Sequence, residues 1–112
     1  MTRVKSIAQR RHRKIKEATK GFRQARRRRI KAGKEALMHA GMYAYVGRKD
    51  RKGDMRALWI IRLSAAAKLR GLSYSNLIAG LKKENIELDR KILSDIAIKD
   101  PETFDKIVAE IK

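Results

Sequence analysis

The sequence predicts an all-α protein with a long basic N-terminal helical extension (residues 1–57) and a small four-helix C-terminal domain (residues 58–112). Three observations support this prediction. Apolar residues repeat with a helical period after residue 57, no segment alternates with the two-residue period of a strand, and the positive charge is concentrated before residue 58. A chain of 112 residues accommodates one small folded domain and an appendage.

The extension carries most of the charge. The chain has 30 Lys and Arg against 12 Asp and Glu, and residues 1–57 hold 20 of the basic residues and 4 of the acidic ones. At about 100° per residue, Arg26–Arg29 point to four sides of a helix, which leaves no apolar face for a core. Five glycines and no proline interrupt the extension. We expect it to be disordered or loosely helical alone and to become ordered on nucleic acid.

The C-terminal domain is predicted to begin with a helix over Leu58–Leu69, which is apolar on almost every side. Gly71 is the residue that stops this helix from continuing. Trp59 is expected to anchor the junction with the extension, because large aromatic side chains mostly serve burial. Ser73 is the predicted N-cap of the second helix. The core stripe of that helix is Tyr74, Leu77, Ile78 and Leu81.

Two further helices follow in the domain. Asp89 is the predicted N-cap of the third, whose core face is Ile92, Leu93 and Ile96. Asp100 followed by Pro101 predicts the start of the fourth, because proline is favoured at the first helical position. The stripe of this last helix is Phe104, Ile107, Val108 and Ile111.

The residue content argues against several classes of protein. There is no cysteine, and His12 and His39 are too far apart for a metal cluster. The longest mostly apolar run is much shorter than the ~20 residues of a membrane span, and the N-terminus lacks the pattern of a signal peptide. The carboxylates of the domain fit helix caps and exposed positions. We therefore expect no enzyme, no metal and no cofactor.

The charge calls for a polyanionic partner, because so basic a chain repels itself. Arginine bridges phosphate oxygens and also stacks on bases. Tyr43 and Tyr45 fit either packing near the domain or nucleic-acid contact. A protein that compacts DNA would share this charge and these helices, so an architectural DNA-binding protein is the alternative to an RNA-binding one.

The most distinctive segments of the chain are Arg3-Val4-Lys5 and the stretches 18–22, 40–45, 58–60, 71–83 and 89–97. Together they resemble the large-subunit ribosomal protein L20 family of bacteria. The resemblance covers Arg3 to about Ala97, and no family motif is evident after that point. It implies a structural protein that binds large-subunit ribosomal RNA early in assembly, beside other large-subunit proteins. In some members the domain also binds the leader of the protein's own messenger RNA and represses its translation.

The resemblance implies that the protein acts in a ribosome, either of the bacterial cytoplasm or of an organelle. It also implies which residues contact RNA. In the extension they are Arg3, Lys5, Arg10, Arg11, Arg13, Lys14, Lys20, Arg23, Arg26, Arg27, Arg28, Arg29, Arg48, Lys49, Arg51 and Lys52. In the domain they are Arg62, Arg70, Ser73, Tyr74, Ser75, Asn76, Lys82 and Lys83. Residues 59–83 contain no acid, whereas residues 84–112 carry eight acids and are expected to face away from RNA.

Overall fold

The computed structural model describes residues 6–112, which form six α-helices and no strand. The helices are α1 (Ile7–Ala18), α2 (Ala25–Arg28), α3 (Ile30–Leu69), α4 (Tyr74–Lys83), α5 (Arg90–Lys99) and α6 (Pro101–Ile111). The prediction of an all-α fold is confirmed. The chain divides into an N-terminal unit that ends at Lys49 and a C-terminal unit that begins at Asp50, and this division lies within α3. The domain boundary at residues 57 and 58 stays a prediction.

In the N-terminal unit, α1 begins at a serine cap and ends at a tight turn. The Ser6 hydroxyl accepts a hydrogen bond from the Gln9 N–H at 3.2 Å. After the last residue of the helix, the buried Thr19 hydroxyl donates to the Ile15 carbonyl at 2.9 Å. Gly21 then adopts a φ of +90°, a backbone conformation that glycine tolerates without steric cost. The extension is therefore a series of helices joined by turns rather than one rod.

Close packing in the N-terminal unit centres on Gly33. A Cβ atom at this position would lie 3.0 Å from the Arg26 carbonyl oxygen, 3.3 Å from Cγ2 of Thr19 and 3.4 Å from Cγ2 of Ile15. The start of α3 thus contacts both α1 and α2. Thr19 and Gly33 are the buried residues among those described in this unit. This local contact brings the turn that contains Phe22 beside α3, although residues 6–49 of the unit form no apolar core.

Helix α3 runs unbroken through Gly41, Gly47 and Gly53. Apart from the neighbouring backbone of α3 itself, no described atom lies within 4 Å of the position that a Cβ would occupy at these glycines. An interior glycine costs a helix about 1 kcal/mol relative to alanine, which is too little to end one of this length. These three glycines therefore do not interrupt α3.

The core of the C-terminal unit consists of seven buried side chains: Leu63, Ala67, Leu77, Leu81, Leu93, Phe104 and Val108. They come from the end of α3 and from α4, α5 and α6, so the predicted four-helix arrangement is confirmed. The predicted stripes supply five of them. Ile92 was wrongly placed on the core face, since it is 47% exposed. Trp59 is only half-buried and is not part of this core.

The three predicted N-caps of the C-terminal unit are confirmed. Ser73 Oγ accepts from the Asn76 N–H at 3.2 Å, and Asp89 Oδ1 accepts from the Ile92 N–H at 2.8 Å. Asp100 Oδ1 accepts from the Thr103 N–H at 3.1 Å. The hydroxyl and N–H of Thr103 together lower the pKa of the Asp100 carboxyl, because both hydrogen bonds favour its charged form. Each cap satisfies a backbone donor that the helix itself leaves free.

Candidate nucleic-acid interface

The predicted RNA-binding residues of the extension are exposed wherever the structure describes them. Arg3 and Lys5 lie outside the described residues. All the others are exposed: Arg10, Arg11, Arg13, Lys14, Lys20, Arg23, Arg26–Arg29, Arg48, Lys49, Arg51 and Lys52. Within the described part of the N-terminal unit the one ion pair joins Arg13 to Glu17, at 3.7 Å and on the surface. Nearly all of these cations are therefore available to an external anion.

Helix α1 shows how the cations are arranged. Arg10, Arg11, Arg13 and Lys14 are separated by one to four positions, so they project from several sides of the helix. Arg26–Arg28 form the single turn of α2, and Arg29 follows in an extended conformation. This arrangement suits contacts with phosphates on more than one side, as when RNA strands surround the segment.

The predicted RNA-binding residues of the domain behave differently, because several of them serve the fold. Arg70 forms an ion pair with Asp105, donates to the Ala66 carbonyl at 3.0 Å and lies 4.8 Å from the centre of the Phe104 ring. Ser73 caps α4, because its hydroxyl oxygen accepts a hydrogen bond from the backbone N–H of Asn76. RNA contact by these residues stays a prediction.

Others of the set keep free surface. Arg62 is half-buried on α3, and Lys82 and Lys83 are exposed at the end of α4, with Lys83 at 4.0 Å from Glu84. Ser75 is also exposed on α4. The Tyr74 hydroxyl accepts from Arg90 Nε at 2.9 Å, which ties α4 to the start of α5. Within the C-terminal unit, the described cations with free surface therefore lie mainly at the ends of helices and on the first part of its α3 segment.

We expect Arg70→Ala to lower the free energy of unfolding of the C-terminal unit by about 2–3 kcal/mol, because it removes a charge-assisted hydrogen bond and a cation–π contact. Urea unfolding of the full chain, followed by Trp59 fluorescence, would measure this loss. Lys82→Ala is the control and should change stability by less than about 0.5 kcal/mol, since its side chain is exposed. An Arg70→Ala protein that is as stable as the wild type but binds RNA weakly would contradict the structural role.

A basic groove in the C-terminal unit escaped prediction. It is lined by Arg51, Lys52, Arg56 and Trp59 of α3 and by Asp89, Arg90 and Lys91 at the start of α5. Arg90 and Lys91 belong to the segment that was expected to face away from RNA, but they lie beside the cations of α3. Their sequence separation from α3 hid this arrangement. A useful signal was available in the adjacent basic pair at the first positions of α5, which runs against the acidic character of that segment.

The described residues show neither a membrane-spanning helix nor a metal site. None of the helices in 6–112 combines the length and apolarity that a membrane span requires. In the same range, no group of three His, Asp or Glu side chains comes close enough together to hold a metal ion.

Tyr43 and Tyr45 are 73% and 50% exposed, so neither is packed in a core.

Residues 2–107 match the protein family described as Ribosomal protein L20. The chain belongs to the ribosomal protein L20 family. The L20 match confirms the predicted resemblance and extends it ten residues beyond Ala97, into α6. It also confirms the expectation of a ribosomal protein rather than an enzyme.

Relatives in the L20 family align along nearly the full chain. Large ribosomal subunit protein bL20 of Roseiflexus castenholzii is 49% identical over 112 residues, which cover 98% of this chain and 96% of the relative. The bL20 proteins of Marinobacter nauticus and Chloroflexus aurantiacus are 49% and 50% identical, and they cover 100% and 98% of this chain. The alignments span 97% and 94% of those two relatives. Extension and domain therefore both belong to the family.

Proposed function

We propose that this chain is a structural constituent of the large ribosomal subunit that binds large-subunit ribosomal RNA directly and supports early assembly of that subunit. Its place of action is the ribosome, where other large-subunit proteins are its neighbours. The observation that carries the proposal is the exposed and almost entirely unpaired set of cations on α1, α2 and α3. The names of the bL20 relatives point to the same subunit.

The chemistry of these cations explains how the protein would act. Arginine and lysine neutralise phosphates that otherwise repel one another, which lets RNA helices approach closely. Most contacts are with phosphate and ribose, so the shape of the folded RNA, rather than its base sequence, provides most of the specificity. The predicted cations from Arg3 to Lys52 would bind the phosphates of the surrounding RNA. The C-terminal unit would select the site on the ribosomal RNA at which the protein binds. The same unit is our candidate for binding the leader of the protein's own messenger RNA.

We expect the affinity of the full chain for large-subunit ribosomal RNA to fall by about 10³-fold or more between 50 and 200 mM KCl, as it does when six or more phosphates are neutralised. Filter binding across a salt series would measure this slope. Duplex DNA, added as competitor at equal phosphate concentration, is the control and should displace little of the protein. A shallow slope would contradict direct phosphate binding. Equal preference for the DNA would favour the architectural DNA-binding alternative.

A further inference from the structure

A second groove lies in the N-terminal unit, between the turn after α1 and one face of α3. Two parallel rows of side chains on α3 line it, because residues four positions apart share a helix face. Ala32, Ala36 and Ala40 form one row, and Glu35, His39 and Tyr43 form the other. Phe22, Arg23 and Arg26 close the groove from the opposite side. The surface thus combines a flat floor of small residues, an aromatic wall and a cationic rim.

The aromatic side chains of the groove have open faces. The rings of His39 and Tyr43 are inclined by only 26° to each other, with 6.3 Å between their centres. This separation lies in the 4.5–7 Å range of offset-stacked aromatic pairs, so the two rings overlap only in part. Tyr43 is 73% exposed, and Phe22 is half-buried across the groove. These faces are therefore free to stack on a planar ligand.

The charges of the groove specify the ligand further. Arg23 and Arg26 are exposed and suit a phosphate group. Among the described residues, no cation lies within 4 Å of the Glu35 carboxylate. An ionised carboxylate only accepts hydrogen bonds, so it selects a ligand that donates them. Guanine presents two adjacent N–H donors on its pairing edge, which match the two carboxylate oxygens.

We propose that this groove captures one unstacked guanine nucleotide of the RNA. The base stacks against Tyr43, His39 and Phe22, its pairing edge donates to Glu35, and its phosphate lies against Arg23 and Arg26. This proposal rests on the proposed function, because the nucleotide belongs to the ribosomal RNA. It adds a base-specific contact to an extension that otherwise binds phosphates.

The test uses the full chain bound to large-subunit ribosomal RNA. Ultraviolet irradiation followed by mass spectrometry should join Tyr43 to a guanine at one RNA position. Tyr43→Leu should remove that crosslink and lower affinity about 5- to 150-fold, as expected for the loss of one stacked base. Tyr45→Leu is the matched control, since Tyr45 is also exposed on α3 but lies outside the groove, beneath Lys49 at 4.6 Å. It should leave the guanine crosslink in place.

The role of Glu35 is tested by changing the base. Replacing the crosslinked guanine with inosine removes its exocyclic amino group, which should weaken binding by the wild type about tenfold, within the usual range for one hydrogen bond to a charged group. Binding by Glu35→Ala, which has no side-chain acceptor, should be insensitive to that replacement. Crosslinks scattered over all four bases, or an unchanged affinity of Tyr43→Leu, would overturn the guanine site while steep salt dependence still supported RNA binding. Failure of the wild type to prefer ribosomal RNA would instead overturn the proposed function.

Discussion

Replacement of Phe104 by alanine is expected to unfold much of the C-terminal unit at room temperature. Phe104 is fully buried among Leu63, Leu77 and Leu93, and Arg70 packs against its ring. Its truncation removes apolar contacts and leaves a cavity, which together cost about 3–5 kcal/mol. A unit of this size has a total stability of only about 3–9 kcal/mol. Urea unfolding of the full chain, monitored by Trp59 fluorescence and circular dichroism, measures the loss.

The control for this experiment is Ile61→Ala. Ile61 lies on α3 in the same unit but is 66% exposed, so its truncation should change stability by less than about 0.5 kcal/mol. If Phe104→Ala lost no more stability than Ile61→Ala, the buried position of Phe104 would be contradicted. The comparison separates burial from a general effect of removing a large apolar side chain.

Replacement of Arg26–Arg29 by four glutamines is expected to lower affinity for large-subunit ribosomal RNA by about 10²–10³-fold at ~0.1 M salt. All four side chains are exposed, and no described acid forms an ion pair with them. Each lost phosphate contact removes the free energy of releasing a condensed counterion, so the salt slope should also become shallower by about 3. Filter binding over a salt series measures both quantities.

Four lysines at the same positions provide the matched control. They keep the charge and lose the two-pronged geometry of the guanidinium, so the salt slope should be unchanged and the affinity should fall much less. A second variant, Lys99→Gln with Lys106→Gln, removes charge from α5 and α6 and should bind like the wild type. If the Lys99→Gln, Lys106→Gln variant lost as much affinity as the variant with four glutamines at 26–29, net charge rather than position would govern binding.

Local signals in the sequence predicted much of the fold. The caps at Ser73, Asp89 and Asp100 were predictable because the capping side chain and the backbone N–H that donates to it lie only three residues apart. The stripes that bury Leu77, Leu93 and Phe104 were predictable because the core face of a helix repeats with its period. Ile92 shows the limit of this argument: it adjoins the buried Leu93, but the core occupies only a narrow face of α5.

The candidate interface was predictable as a class of surface, but less so residue by residue. A dense run of arginines such as Arg26–Arg29 is exposed in any fold, since no core accepts so many charges. Arg70 has the same residue type and was assigned to RNA, yet its guanidinium serves the fold. Its partner Asp105 lies 35 positions away, and no spacing rule connects them.

By itself, the sequence determined the helical class, the starts of the last three helices, the cationic character of the extension and the L20 resemblance, but it did not show that the helix predicted over Leu58–Leu69 begins at Ile30. These features depend on residue type and on neighbours within a few positions. Only the tertiary structure placed Arg90 beside Trp59, fitted α4 against α6 at Gly80, and set Phe22 across from Tyr43. Such contacts join residues from separate helices, and helix packing rather than local periodicity decides which of them meet.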